Sequence, residues 1–359
     1  MGGSISRRGV NATMGAALVA AALGARSRPA AAAETITVLN WQGYGTDEAW
    51  ALKLFAEHTG ITVRHDYFNS EPEMVTKLRS NPGAYDVALI NSARTRTIAT
   101  DGLIEAIDLS QVPNAKDLTP ALRDHANLTE GGKHYGISWV WGMNSLAVRR
   151  GVVKGADSYA VLSDPAYKNR AALFDDAVTE VGIGALMTGQ SINAPTDLGA
   201  IKQKLTAMKP NIKLIWSSES EWNKAFVAGA FDVAIYWSGA AARAQKRYNL
   251  PVDFIVPKEG AIGWLDGLSV PSAAKNKAAA LKFINFMIDP SFYLQWAKDA
   301  GAAASANAKA MSELAPDNPI RTIHKAEYIS ALQFMSTLPD ERRKAFVDLW
   351  SEMKAFYAG

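Results

Sequence analysis

From residue 36 onward, short β-branched apolar runs alternate with longer stretches of helical periodicity. Residues 36–41 (ITVLNW) form an apolar run ended by Gly43-Tyr44-Gly45, the pattern of a buried strand entering a turn. Residues 47–58 follow with Trp50, Leu54 and Phe55 on one helical face and Gly60 as the stop. A strand over 61–63, a helix over 72–80 and a strand over 85–90 complete a βαβαβ order. Such alternation predicts a parallel sheet with helices on both faces. The order resumes after residue 170, with strands over 171–174, 212–216 and 232–237 and helices over 177–189, 196–207 and 220–229. Two α/β lobes are therefore predicted.

Between them, residues 135–144 (YGISWVWGMN) are apolar and extended, which suits a strand crossing from one lobe to the other. Two strand-like stretches between Pro251 and Pro271 supply a return crossing. Helices are expected over 275–288 and 290–298, then a polar stretch to 320 and a helix pair over 323–336 and 339–357. The expected division is 34–143 plus 267–306 for lobe I and 144–266 plus 307–359 for lobe II.

The first 33 residues differ from the rest. Arg7 and Arg8 precede a short apolar run over 12–25, and Ala31-Ala32-Ala33 stands before Glu34. That order is the pattern of an export signal cleaved near Ala33, which places the mature chain in the periplasm. Ser6-Arg7-Arg8 resembles a twin-arginine signal. Charge changes meaning accordingly. Four of the 38 basic residues (Arg7, Arg8, Arg26, Arg28) lie in this segment, leaving 34 against 35 acidic ones, so the net charge of +3 gives no reason to expect a nucleic-acid partner. Without cysteine there are no disulfides, thiolate metal sites or cysteine nucleophile. No G-x-S-x-G, G-x-x-x-x-G-K-[ST], H-E-x-x-H or complete G-x-G-x-x-G occurs, and the five histidines show no ligating spacing. The reading is of a non-enzyme with no metal and no cofactor.

Several aromatics end strands beside turn residues: Trp41 and Tyr44, then Trp237 before Ser238-Gly239, then Trp264 with Asp266. In open parallel sheets ligands bind beyond the carboxyl ends of strands. Aromatic faces there hold a cation or an alkyl chain, and a carboxylate such as Asp266 pairs with an ammonium group. Trp50, Trp296 and Trp350 fall within helical patterns and read as packing residues, and Trp139 and Trp141 as mainly structural.

Taken together, the segments LNWQGY (39–44), FAEHTGI (55–61), GAYDV (83–87), Asp175-Asp176-Ala177, IYWSG (235–239), PKEGAIGWLD (257–266) and AALKFINF (279–286) resemble the spermidine/putrescine branch of periplasmic solute-binding proteins. The resemblance runs from about residue 36 to 300, and Pro-Lys-Glu-Gly running into Trp-x-Asp is its most specific piece. It implies a two-lobe periplasmic-binding-protein fold (type II-like), a ligand cleft between the lobes, and a monomer that delivers a small amine-bearing ligand to the transmembrane subunits of an ABC permease. Carried over by residue, Trp41, Gln42 and Tyr44 form one wall, Trp237 and Trp264 face the ligand's methylene chain, and Ser92 is a polar cleft position. Asp266 binds an amine and Asp176 the other end, with Asp175 and Glu180 as alternatives to Asp176. The chain departs from the family pattern at Arg94 and at Gly301-Ala302-Ala303-Ala304, where relatives carry aromatics. Arginine suits a carboxylate. The sharper expectation is therefore an ω-amino acid such as γ-aminobutyrate, with its amine on Asp266 and its carboxylate on Arg94. In the other reading of Arg94, it points outward or pairs with a protein carboxylate. Alternatives for the ligand are a polyamine, putrescine-like more than spermidine-like, or the iron or anion of a relative on the same fold. An alternative of another class is a secreted hydrolase on an α/β scaffold.

Overall fold

The computed structural model describes residues 34–299 and 302–359, so the export signal expected over 1–33 lies outside the described residues. The first lobe opens with β1 (Thr35–Asn40), α1 (Ala49–Thr59), β2 (Thr62–Tyr67), α2 (Glu71–Ser80), β3 (Val87–Asn91) and α3 (Ser92–Thr100). β1 pairs in parallel with both β2 and β3. A short helix α4 (Pro120–Arg123) and a small hairpin, β4 (Thr129–Glu130) with β5 (Lys133–His134), lead into the long strand β6 (Ile137–Arg149). The second lobe comprises β7 (Ala171–Phe174), α5 (Ala177–Met187), α6 (Leu198–Ala207), β8 (Ile212–Trp216), α7 (Glu219–Val227), β9 (Val233–Trp237) and α8 (Ser238–Tyr248). Here β7 lies parallel to β8 and β9. β10 (Val252–Ile255) and β11 (Ala261–Ser269) carry the chain back. There follow α9 (Lys277–Met287), α10 (Pro290–Asp299), β12 (Ala304–Ser305), α11 (Ala308–Glu313), α12 (Pro319–Ile323), β13 (Leu332–Phe334) and α13 (Asp340–Ala358).

Local chemistry explains where these elements start and stop. Ser70 accepts a bond from the Glu73 amide at the head of α2, and Ser218 from the Glu221 amide at the head of α7. The Glu221 carboxylate in turn accepts from the Ser217 amide at 2.9 Å, tightening the turn into α7. α1 ends at Gly60, whose φ of 73° places it in the left-handed region that glycine tolerates. β3, β7 and β9 are buried over nearly their whole length, as parallel strands covered on both faces must be.

The sheet order is β2-β1-β3-β11-β6-β9-β7-β8. Each lobe thus contributes a parallel trio, and the two trios are joined by the antiparallel pair β11–β6. These long strands are the crossings anticipated at 135–144 and 251–271. Apolar packing divides differently: Leu173, Ile183, Ile201, Val233, Phe346 and Trp350 lie in one buried cluster around α5, α6 and α13, whereas the cluster of Val38, Phe55, Leu89, Trp139 and Phe283 extends across the joined sheet to Trp216, Trp222, Phe226 and Tyr236 of the second lobe.

One predicted element is corrected. Residues 323–336 are not a helix: Ala326–Ala331 is a 3-10 turn, and Leu332–Phe334 pairs in parallel with Ala261–Gly263. The open edge of β11 offers main-chain partners that a lone helix lacks. The Phe334 ring also occupies the space above Gly263, within 3.1 Å of where a Cβ would stand. Besides the short α4 and α11, two longer helices were not anticipated, α3 and α8, and both begin directly at a strand end. α3 is rich in threonine, a poor helix former.

Candidate functional site

A cavity of about 860 Å³ opens where the strands of both lobes end. Its first-lobe wall comes from the turn after β1. Asn40 accepts from the Trp41 amide at 2.7 Å and donates to the Thr46 hydroxyl at 2.5 Å, and the Gly43 amide donates to Asp47 at 2.8 Å. This bonded turn presents Trp41 and Tyr44 to the cavity. Trp41 is braced edge-on by Phe68, ring centroids 4.5 Å apart, and Tyr44 meets Trp139 edge-on at 5.7 Å. Trp139 stacks on Trp296 at 5.4 Å. Trp296 reaches the cavity only because residue 45 is glycine: a Cβ there would lie 2.5 Å from the indole.

Asp266 sits at the centre of this wall, on β11 opposite Asn91 and immediately before a register shift. It is 7% exposed. Tyr44 donates its hydroxyl to one carboxylate oxygen at 2.9 Å, and the Asn91 amide donates to the other at 2.7 Å. Asn91 also caps α3, accepting from the Ala93 amide at 3.0 Å. Burial pushes the Asp266 carboxyl up to about 6, opposed by the two hydrogen bonds and reinforced by the negative charge of Glu71. Burial and the Asp266 charge likewise push the Tyr44 hydroxyl well up. No cation pairs with Asp266 among the described residues.

Arg94, on α3, lines the same end and is tethered through Nε to Glu71 at the start of α2. Both parts of its second reading are thus decided: it faces the cavity, and it pairs with a protein carboxylate. Its two terminal nitrogens make no further hydrogen bond to the described residues.

The second-lobe wall is built from strand ends and the head of α5. Trp237, last residue of β9, is held edge-on by Phe174 and Trp216 at 4.9 and 5.0 Å. Asp176 caps α5, accepting from the Thr179 amide at 2.8 Å, and lines the cavity. Asp175 points elsewhere, accepting from Trp350 at 2.9 Å and Lys354 at 2.7 Å on α13. Glu180 is fully buried beneath the helix and accepts from the Phe174 amide at 2.8 Å. Of the three acidic candidates, only Asp176 borders the cavity.

Of the other expected residues, Trp41, Tyr44, Arg94, Trp237, Trp264 and Asp266 all border the cavity, whereas Gln42 and Ser92 do not. Gln42 projects from the turn into solvent, and its neighbour Gly43 lines instead. Ser92 is buried within the first turn of α3, 2% exposed. Trp296, read as a packing residue, both packs and lines. Sequence reading missed Glu71, Asn144, Thr179, Arg243 and the strap 335–338. Arg243 is held bidentately by Glu219 at 2.9 and 2.6 Å. The strap bonds to both lobes: Asn127 donates to the Met335 carbonyl at 2.9 Å, Asn193 donates to the Phe334 carbonyl at 2.8 Å, and Thr337 donates to the Ala93 carbonyl. The only signal for Arg243 was its position one turn into a helix that begins at a strand end.

One serine–histidine contact lies near the cavity. Ser238 and His324 are in contact at 2.7 Å, but both are buried, and Ser238 accepts from the Met143 amide at 2.9 Å, so the pair clamps the crossing strand. No cluster fit for a metal occurs among the described residues, and none of their helices is long and apolar enough to cross a membrane.

Comparison with known proteins gives the chain's family and fold. The chain is 30% identical over 287 residues to the spermidine/putrescine-binding periplasmic protein of Escherichia coli K12, covering 79% of this chain and 80% of that one. It is 32% identical over 267 residues to spermidine/putrescine-binding periplasmic protein 1 of Haemophilus influenzae, covering 72% of each. The solved structure of the spermidine/putrescine ABC transporter substrate-binding protein PotD from Streptococcus pneumoniae superposes with a TM-score of 0.80 at 24% identity, over 90% of this chain and 99% of that one, which shows a common fold. Residues 50–322 match the family described as bacterial extracellular solute-binding protein, and this chain belongs to that family of binding proteins, not enzymes.

Proposed function

We propose that the protein captures a small aliphatic amine between its lobes in the periplasm and delivers it, as a monomer, to the transmembrane subunits of an ABC permease. One observation carries the amine: Asp266 is a buried carboxylate on the cavity wall, hydrogen-bonded by two neutral donors and in no ion pair with the described residues. A buried charge without a counter-ion is costly, and a ligand ammonium group supplies the missing partner. Tyr44, Trp41, Trp237 and Trp264 surround the same space with aromatic faces that favour a cation and its methylene chain. The names of the relatives, which bind spermidine and putrescine, support the same class.

A second reading, an ω-amino acid, is favoured by Arg94, which borders the cavity and whose terminal nitrogens have no acceptor among the described residues. Its Glu71 partner already neutralises much of its charge, so the amine end remains the primary determinant. Calorimetric titration of the purified protein with 1,4-diaminobutane, spermidine, γ-aminobutyrate and a carboxylate lacking an amine tests the proposal. Binding of one or more amines and not of the plain carboxylate is expected, and tight binding of the plain carboxylate alone would overturn it.

A further inference from the structure

The strap 335–338 is fixed to the second lobe and only touches the first. Asn193 grips its main chain twice: the side-chain amide donates to the Phe334 carbonyl at 2.8 Å, and the side-chain oxygen accepts from the Ser336 amide at 2.9 Å. Arg342, on α13, donates to the Asn193 carbonyl at 3.0 Å, and Leu338 is buried in the cluster around α5, α6 and α13. Toward the first lobe the contacts are few. Asn127 donates to the Met335 carbonyl at 2.9 Å, and the Thr337 hydroxyl donates to the Ala93 carbonyl and lies 3.3 Å from the Thr97 hydroxyl. Any separation of the lobes must break these bonds.

The Thr337 contact lands on a residue tied to Asp266. Ala93 stands in the first turn of α3, and its amide donates to Asn91 Oδ1 at 3.0 Å. The other end of the same Asn91 side chain donates to Asp266 at 2.7 Å. Thr337, Ala93, Asn91 and Asp266 thus form one continuous series, running from a second-lobe strap to a buried carboxylate. Asn91 aims its amide at Asp266 while its oxygen is held by the Ala93 amide. Fixing the Ala93 carbonyl therefore fixes the group that orients Asn91. Buried series of this kind are worth more than their separate pairs.

Resting on the reading of Asp266 as the amine site, we infer that Thr337 is a positioning residue that couples docking of the strap to the amine anchor. It acts through Asn91. The strap cannot leave α3 without loosening the donor on Asp266, and an occupied Asp266 in turn holds the strap down, since such coupling is reciprocal. The effect falls on one rate. A cavity walled from both lobes fills before the walls meet, so the Thr337 bond is absent as the amine enters and present as it leaves. Thr337 therefore slows release and leaves capture alone.

The test measures release of radiolabelled 1,4-diaminobutane from the purified full chain after a chase with unlabelled amine, with radiolabelled γ-aminobutyrate as the alternative probe. Thr337 is exposed, so substitution there leaves the core intact. Thr337→Val removes the hydroxyl at constant size and speeds release by about three- to tenfold, the worth of one hydrogen bond. Association stays within about twofold of the wild type. Thr337→Ser keeps the hydroxyl and keeps the wild-type rate, whereas Asn193→Ala frees the strap from its own lobe and speeds release. In an Asn91→Ala background, where the series is already cut, Thr337→Val adds less than about twofold. Unchanged release in Thr337→Val, slower association in its place, a serine variant as fast as the valine one, or the full loss again in the Asn91→Ala background overturns the coupling and leaves Asp266 as an amine site. Failure of both probes and of spermidine to bind the wild type overturns the Asp266 reading and the coupling with it.

Discussion

Two aspartates face the cavity from opposite lobes, and their surroundings differ. Asp266 is buried, is gripped by Tyr44 and Asn91, and stands on a strand in the middle of the sheet. Asp176 is half-buried at the head of a helix and divides its oxygens between the helix cap and the cavity. The first is an anchor: its geometry is fixed before any ligand arrives, and its charge lacks a counter-ion. The second commits one carboxylate oxygen to the helix cap and is held by fewer donors.

The sharpest way to break this comparison is Asp266→Asn. Removing one partner of a buried, hydrogen-bonded charge pair costs about 2–5 kcal/mol, so amine affinity is expected to fall by roughly 30- to 5,000-fold in calorimetry. A loss of less than about fivefold would mean that Asp266 is no anchor.

Acidification tests the same residue without a mutation. The carboxyl titrates near 6, so affinity for an amine is expected to hold above that pH and to fall by about tenfold per unit below it. The apoprotein shows the opposite linkage. The folded Asp266 pKa lies above the unfolded one, so its contribution to stability is present below about 4 and is lost as pH rises through about 6. His324, whose pKa burial lowers to about 4, gives the reverse slope over the same window. Denaturation curves of wild type and Asp266→Asn across pH 4–7 therefore isolate the Asp266 term as their difference, about 3 kcal/mol at most.

Gly142→Ala probes the floor between the two ends. The added methyl collides with the Trp264 indole and displaces it. Affinity for every alkyl amine is expected to drop by about tenfold, the size of one lost cation–π or packing contact. Gly142→Ala combined with Trp264→Phe recovers part of the loss if ring displacement is the cause. Asp176→Ala should have the smallest effect on affinity, about fivefold or less for a partly exposed group. Its helix cap is lost as well, costing about 1 kcal/mol in a denaturant titration. An effect on affinity as large as that of Asp266→Asn would erase the distinction between the two ends.

The features legible from sequence were those set by local pattern. Trp41, Tyr44, Trp237, Trp264 and Asp266 each close or follow an apolar run, and strand ends in a parallel sheet converge on one edge. Asn144 and Thr179 were not legible, because what matters about them is the register of β6 against β11 and β9 and the docking of α5, which no local window contains. Both readings of Arg94 were open from sequence, and its Glu71 partner, 23 residues earlier, became visible only once α2 and α3 lay side by side. The failed helix at 323–336 has the same origin: an open strand edge, supplied by residues 70 positions away, outweighed a weak helical pattern.

The aromatic lining has an optical consequence. Of the ten tryptophans in the chain, Trp41, Trp237, Trp264 and Trp296 border the cavity. Four of the ten emitters therefore sit where solvent is exchanged for solute. Filling the cleft replaces water against several indoles at once, so the unlabelled protein reports its own occupancy in a fluorimeter.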